Sequence, residues 1–329
     1  MKHAVVGPGP WETVTAPFSR ALLDIGAQRD DVVVLVGDLM HWTDTAAFAE
    51  VYPDRFFQVG MAEQNLLGIG AGMAKSGLVP IIVTYGVFAT RRAYDQLAMG
   101  LCTGPDTHAV VAGFLPGITS PFRATHQGID DVALMRVLPR TMVVDPMDAT
   151  EIVAWTKHAV DAPGVTYLRL QRRQVVSVFD PGIYRPSRSE AVTVRDGTDL
   201  AVISSGLGTL WALEAADLLA ARGIAARLVH VPSIKPLPET DLVQIAQEFP
   251  VVHAVENHSA TGGLRSALAE LVADRGLGTR LIGHNIGTDW PGRVGRIDYL
   301  RGELGLDAPA LAASLAAGAE RRGAAGAGI

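Results

Sequence analysis

The sequence predicts an α/β protein of two doubly wound domains in series, and three observations carry that expectation. Short apolar runs recur along the chain, each followed by a stretch with helical apolar spacing. The composition is 48% hydrophobic but only 6% aromatic, with 35 glycines, which suits helices packed closely on a parallel sheet and excludes a disordered chain. The pattern weakens once, between Phe179 and Gly197, where Pro181, Gly182 and Pro186 stand among charged residues. Domains are therefore expected at 1–185 and 198–329 with a linker at 186–197, a division that 329 residues allow.

Taken in order, residues 1–11 read as a loose arm ending in two Gly-Pro pairs, followed by a helix from Thr13 to Ile25. Val32 to Val36 is uniformly apolar and ends at Gly37-Asp38, as a parallel strand covered on both faces would. Helix is then expected at 44–50, 62–75, 89–102, 129–137 and 148–160, with strands at 56–59, 79–84, 108–113, 141–144 and 166–169. Past the linker the alternation resumes: strands at 200–203, 225–231, 250–255 and 280–284, helices at 208–222, 239–248 and 262–274. The Ala/Gly/Arg-rich tail from Gly318 reads as frayed.

Several function classes are set aside by composition. A net charge of −6 without a long Lys/Arg run argues against a nucleic-acid partner. Cys102 is the only cysteine, which excludes an internal disulfide and any multi-cysteine metal site and favours a reducing, cytoplasmic setting. The N-terminus lacks a signal-peptide core and no stretch is apolar enough to span a membrane, so a soluble chain is expected. Gly68-Ile-Gly70-Ala-Gly72 and Gly206-Leu-Gly208 match neither a dinucleotide loop nor a Walker loop. None of the nine histidines stands in a His-Glu-x-x-His pattern, and no metal ligand is expected here.

Three groups remain as candidates. Glu63 falls in the first turn of the helix at 62–75, where it is either a cap for free N–H groups or a buried catalytic acid. His126 lies in Ala124-Thr-His-Gln-Gly128, between a strand and a helix, where α/β folds place binding loops; it is either solvated or functional. Asp130 and Asp131 are read as serving the start of the next helix. Between Thr84 and Gln96, Phe88 and Tyr94 are either core residues or faces for a planar ring, and Arg91 and Arg92 are solvated in the first case.

Together these stretches resemble the C-terminal half of the transketolase family, which depends on thiamine diphosphate. The motifs are Val36-Gly-Asp-Leu39, Val59-Gly-Met-Ala-Glu-Gln-Asn65, Tyr85 to Gln96, Thr125-His-Gln-Gly128, Val144-Asp-Pro-Met-Asp148 and Glu256-Asn-His-Ser-Ala-Thr-Gly-Gly263. The resemblance implies a pyrimidine-binding domain followed by the transketolase C-terminal domain. It makes Glu63 the acid that hydrogen-bonds the cofactor's aminopyrimidine and favours its imino tautomer. Phe88, with Tyr85 nearby, would stack on that ring, and Asp38 and Leu39 would line the cofactor. His126 would hydrogen-bond the ketose, and Arg172 would grip a substrate phosphate, with Arg91 and Arg123 as substitutes.

No Gly-Asp-Gly occurs in the chain, so the resemblance implies that a separate N-terminal, diphosphate-binding subunit holds the diphosphate and its Mg2+. A heterotetramer is expected, inactive without that partner. Departures from the family pattern fall at the substrate: Phe122 and Phe114 stand where many members carry Asp and His, and Trp42 falls near a serine position. Losing those polar groups predicts an unusual sugar or sugar phosphate. The expected reaction is transfer of a two-carbon ketol unit from a ketose to an aldehyde. The alternatives are acyloin condensation from pyruvate, as in deoxyxylulose-phosphate synthases that share Arg92-Ala-Tyr-Asp-Gln96, and a non-catalytic partner subunit.

Overall fold

The computed structural model describes residues 2–3, 9–105 and 107–325. The chain opens with β1 (Lys2–His3), β2 (Thr13–Thr15), α1 (Pro17–Gln28), β3 (Val32–Val36), α2 (Ala46–Val51), β4 (Phe56–Gln58), α3 (Glu63–Lys75) and β5 (Val79–Tyr85). Wide helical turns of π type at Phe88–Arg92 and Gln96–Leu101 lead to β6 (Ala109–Phe114), α4 (Asp131–Val137), β7 (Thr141–Val144), α5 (Ala149–Asp161), β8 (Val165–Leu170) and β9 (Gln174–Val176). The remainder holds β10 (Val192–Arg195), β11 (Leu200–Ser204), α6 (Gly206–Ala220), β12 (Ala226–His230), β13 (Ser233–Lys235), α7 (Glu239–Glu248), β14 (Val251–Val255), α8 (Leu264–Asp274), β15 (Arg280–His284), α9 (Ile297–Glu303) and α10 (Ala308–Ala325).

The expected doubly wound layout holds in both halves. The first sheet has the order β13-β7-β8-β6-β5-β3-β4, parallel except for β13. Its central strands are buried along their whole length, as their continuous apolar sequence requires. From β3 the chain moves outward to β4 and then back across to β5. The strand order therefore reverses at β3, and the crevice at the carboxyl ends of β3 and β5 is the switch point where such sheets bind ligands. The second sheet runs β1-β10-β12-β11-β14-β15, with β10 antiparallel to β12.

Local chemistry explains the elements that differ from expectation. The helix expected from Thr13 starts at Pro17, whose ring fits a first helical turn, while β-branched Thr13-Val14-Thr15 pair with Gln174–Val176. Within α1, Phe18, Ala21, Leu22 and Ile25 recur at helical spacing and are buried. The regular helix expected at 89–102 is instead the pair of π turns, a form that concentrates at functional sites. Inside the 186–197 stretch read as a linker, Val192–Arg195 forms a strand of the second sheet, because Val192 and Val194 insert into the core. Of the arm at 1–11, Lys2–His3 pair with that strand; residues 1 and 4–8 lie outside the described residues. The tail read as frayed is helical to Ala325, held by buried Leu311 and Leu315, and 326–329 lie outside the described residues. Among the described residues, no helix is long and apolar enough to cross a membrane.

Candidate active site

Five loops leave the carboxyl ends of the first sheet, and they carry the candidate residues. Asp38 and Leu39 follow β3, Glu63 follows β4, Tyr85 ends β5 with Phe88 just beyond it, the 115–130 segment follows β6, and Arg172 follows β8. Asp38 is exposed with φ +59, and its N–H donates to Gln58 Oε1 at 3.0 Å; Leu39 is half-buried.

Glu63 is the first residue of α3 and only 3% exposed. Its side chain does not cap the helix. Arg92 Nη1 donates to both of its carboxylate oxygens at 3.0 Å, and the same guanidinium lies over the Phe88 ring at 4.3 Å. The Arg92 side chain is 53% exposed, so the ion pair has one buried and one solvated partner. The solvated reading of Arg92 is thus corrected: the π turn at Phe88–Arg92 aims it back over the acid and the ring.

His126 stands among three aromatic rings, with centroids 6.0 Å from Tyr85, 5.3 Å from Phe88 and 5.2 Å from Phe122. Thr125 donates its one hydroxyl proton to the Phe122 carbonyl at 2.9 Å. That leaves its oxygen to accept from His126 Nδ1 at 2.8 Å, so Nε2 is the unprotonated nitrogen of the neutral ring. Burial, and then the Arg92 charge, hold its pKa below the ordinary value. Phe122 is 63% exposed and offers an apolar face beside the imidazole. Phe114, expected beside it, is fully buried in edge contact with Phe18 at 5.4 Å, because it ends a strand covered on both faces; it has no place at an open site.

Arg172 Nη1 lies 3.4 Å from the Trp42 carbonyl, and the guanidiniums of Arg172 and Arg173 lie 5.2 and 4.9 Å from the Trp42 ring. Tyr85 has its pKa raised by burial, against the pull of Arg172 and Arg173. The two substitute cations are engaged elsewhere. Arg91 pairs with Asp130 at 2.7 Å and lies over Trp290 at 4.4 Å, while Arg123 Nε donates to the Pro291 carbonyl at 3.1 Å.

Sequence reasoning missed the support beneath these loops. Arg169 is 1% exposed in β8. It donates to Asp131 Oδ2 at 2.8 Å, Asp145 Oδ2 at 3.3 Å and the carbonyls of Gly128 and Asn257 at 3.1 and 2.8 Å. Asp131 therefore does not serve the helix start. Burial alone would raise its carboxyl, but the Arg169 charge and hydrogen bonds hold it below the ordinary range; Asp145, farther from the guanidinium, stays raised by burial. An arginine inside the apolar run Val165–Leu170 was the available signal, since a charge in a buried strand needs partners.

Among the described residues, no cluster of three or more His, Cys, Asp or Glu is arranged to hold a metal ion. A cleft of about 510 Å³ between α1, α5 and residues 177–186 contains none of the candidate residues, and its Lys157 is paired with Asp24 at 2.6 Å.

Two family models match: the transketolase pyrimidine-binding domain over residues 13–177 and the transketolase C-terminal domain over 189–294. A transketolase family protein, y4mN, of Sinorhizobium fredii is 43% identical over 78% of this chain and 74% of its own length. The 6-deoxy-6-sulfo-D-fructose transketolase subunit SqwH of a Clostridium species is 33% identical over 86% of this chain and 87% of its own. A 1-deoxy-D-xylulose-5-phosphate synthase of Geobacter sulfurreducens is 32% identical over 94% of this chain, which spans 48% of that longer protein. Among solved structures, a split-gene transketolase described as an inactive β4 tetramer superposes with a TM-score of 0.82 at 35% identity, over 92% of this chain and 97% of that one.

Proposed function

The chain belongs to the transketolase family, and on that premise we propose that it is the pyrimidine-binding subunit of a two-component, thiamine diphosphate-dependent transketolase. It transfers a two-carbon ketol unit from a ketose to an aldehyde, in the cytoplasm, once paired with an N-terminal diphosphate-binding subunit. Residues 1–185 are read as the pyrimidine-binding domain and 198–329 as the C-terminal domain, with Val192–Arg195 counted in the second sheet.

The observation that carries this reading is a buried carboxylate and an aromatic ring that share one guanidinium, that of Arg92, on loops at the carboxyl end of a mostly parallel sheet. Glu63 and Phe88 fit an aminopyrimidine: the carboxylate accepts from a ring N–H, and Phe88 presents a face. Bound thiamine diphosphate would supply the nucleophilic carbon that takes up and hands on the two-carbon unit. Glu63 would hold the proton balance of the ring. Arg92 stands on both surfaces assigned to the ring, so a competing donor must draw it off at least one Glu63 oxygen, and its exposure gives it room to move. The diphosphate and Mg2+ are assigned to the partner, in a heterotetramer, since this chain carries no Gly-Asp-Gly.

His126 would meet the ketose through its unprotonated Nε2. Replacing it by Ala should raise KM for the ketose about tenfold or more, as losing a hydrogen bond to a substrate hydroxyl does. Its depressed pKa keeps the ring neutral at pH 7. The acid limb of kcat/KM should therefore lie below pH 6.5, and His126→Gln should abolish that limb. A limb above pH 6.5 would argue against this role.

Phe122 is the departure that bears on substrate, since it sets an apolar face where many relatives carry a carboxylate. A branched, deoxygenated or unphosphorylated sugar is the expected class. Mixing this chain with a Gly-Asp-Gly subunit tests the whole reading. Neither chain alone should turn over, and the pair should transfer ketol units with poor use of xylulose 5-phosphate and ribose 5-phosphate. The shared Arg92-Ala-Tyr-Asp-Gln96 stretch supports a second reading, pyruvate condensation, and carbon dioxide release from pyruvate on mixing would put it first.

A further inference from the structure

The 115–130 segment, which carries Phe122 and His126, is gripped from the second domain at four points, and Arg169 of β8 ties that grip to the first sheet. Asn257, just beyond β14, is 1% exposed; its Oδ1 accepts from Ile118 N and its Nδ2 donates to the Pro116 carbonyl, both at 3.1 Å. Ser259 N donates to the Ile129 carbonyl at 2.8 Å, and the Pro291 carbonyl accepts from Arg123. Arg169 closes the grip, because one of its nitrogens donates both to the Gly128 carbonyl and to the Asn257 carbonyl. The two ends of the segment also meet each other, through Gly117 N to the Gly128 carbonyl at 2.9 Å.

The fit is close on the loop side as well. Gly117 has φ +55, and a Cβ there would sit 2.1 Å from Asn257 Oδ1. Only glycine allows both the turn and the approach of the amide. The start of a loop with little regular structure is thus held on two backbone groups by one side chain from another domain, which a carboxamide can do because it offers a donor and an acceptor at once.

We propose that Asn257, acting with Arg169, is a positioning residue that orients the His126 loop, so that the second domain sets substrate affinity. The inference rests on the assignment of His126 to the ketose. Neither Asn257 nor Arg169 is placed at the reacting atoms; both act through backbone groups on either side of His126.

Asn257→Ala, the isosteric Asn257→Asp and the loop-side Gly117→Ala test it, the last two carrying the test if the first fails to fold. In the full chain alone, amide hydrogen exchange within 115–130 should speed up roughly tenfold, with exchange in β3, β5 and β11 unchanged. In the enzyme reconstituted with its diphosphate-binding subunit, KM for the ketose should rise about tenfold, while kcat and the thiamine diphosphate dissociation constant stay within about twofold. Unchanged exchange in 115–130 in the folded variants overturns the clamp, whatever the kinetics. Faster exchange with KM unmoved overturns the claim on affinity, and His126→Ala assayed beside it separates the causes: a raised KM there keeps His126 at the ketose, an unmoved one overturns that assignment as well. A fall in kcat and cofactor affinity without a KM effect overturns it in favour of a general structural role.

Discussion

Glu63→Gln should abolish turnover of the reconstituted enzyme while leaving assembly and fold intact. The side chain keeps its shape, and its 3% exposure means that no new surface is created. What changes is that one acceptor oxygen becomes a donor and the negative charge is lost. An amide cannot take part in proton transfer with a ring nitrogen, and general acid–base contributions of roughly 10²–10⁴-fold set the scale of the loss. Arg92 would also lose its charged partner, so its guanidinium should move further into solvent and uncover the Phe88 face. Size-exclusion chromatography of the mixed subunits should be unaltered. Activity within a few-fold of the parent would sink the catalytic assignment.

The second large effect is on stability. Arg169→Met removes the cation between Asp131 and Asp145 and leaves two fully buried carboxyls without it, which should cost about 3–5 kcal/mol in urea unfolding. The pH dependence supplies a check of sign. In the parent, Asp131 is held below its ordinary value, so its contribution is present above that value and fades as pH falls through the folded pKa. Without Arg169, burial raises both carboxyls, and folding then favours the protonated forms. The gap between parent and variant should widen as pH rises from 5 to 7.5. Asp131→Asn in the Arg169→Met background should recover part of the loss. A gap independent of pH would show that packing, not charge, governs the site.

Much of the sheet architecture was legible because strands covered on both faces read as unbroken apolar runs, as in Val32–Val36 and Val79–Tyr85. Short or edge elements were not. Thr13–Thr15 and Ser233–Lys235 have too few residues for a period to emerge, and the Ala/Gly/Arg-rich stretch from Gly318 looks frayed although it continues a helix whose earlier Leu311 and Leu315 are packed. At the candidate site, Glu63, Phe88 and His126 stood out only because several motifs occurred in order. The Arg92–Glu63 pair joins positions 29 apart through a π turn, which no helical spacing anticipates. Asp131 looked like a helix-start acid because its partner, Arg169, is 38 residues away on another strand. Phe114 and Phe122 looked equivalent in sequence, and only burial separates them.

Ser233–Lys235 has one further consequence. It lies well inside the second half of the chain yet pairs antiparallel with Thr141–Val144 at the margin of the first sheet. The buried cluster likewise runs without interruption from Val144 and Trp155 to Val202 and Trp211. The halves should therefore melt in one cooperative transition with a single calorimetric peak. A fragment cut at 197 would bare the β7 margin, with unpaired N–H and C=O groups ready to recruit strands from other molecules. Expressed alone, such a fragment should aggregate, and a full-length chain split there should recover its fold only when both pieces are refolded together.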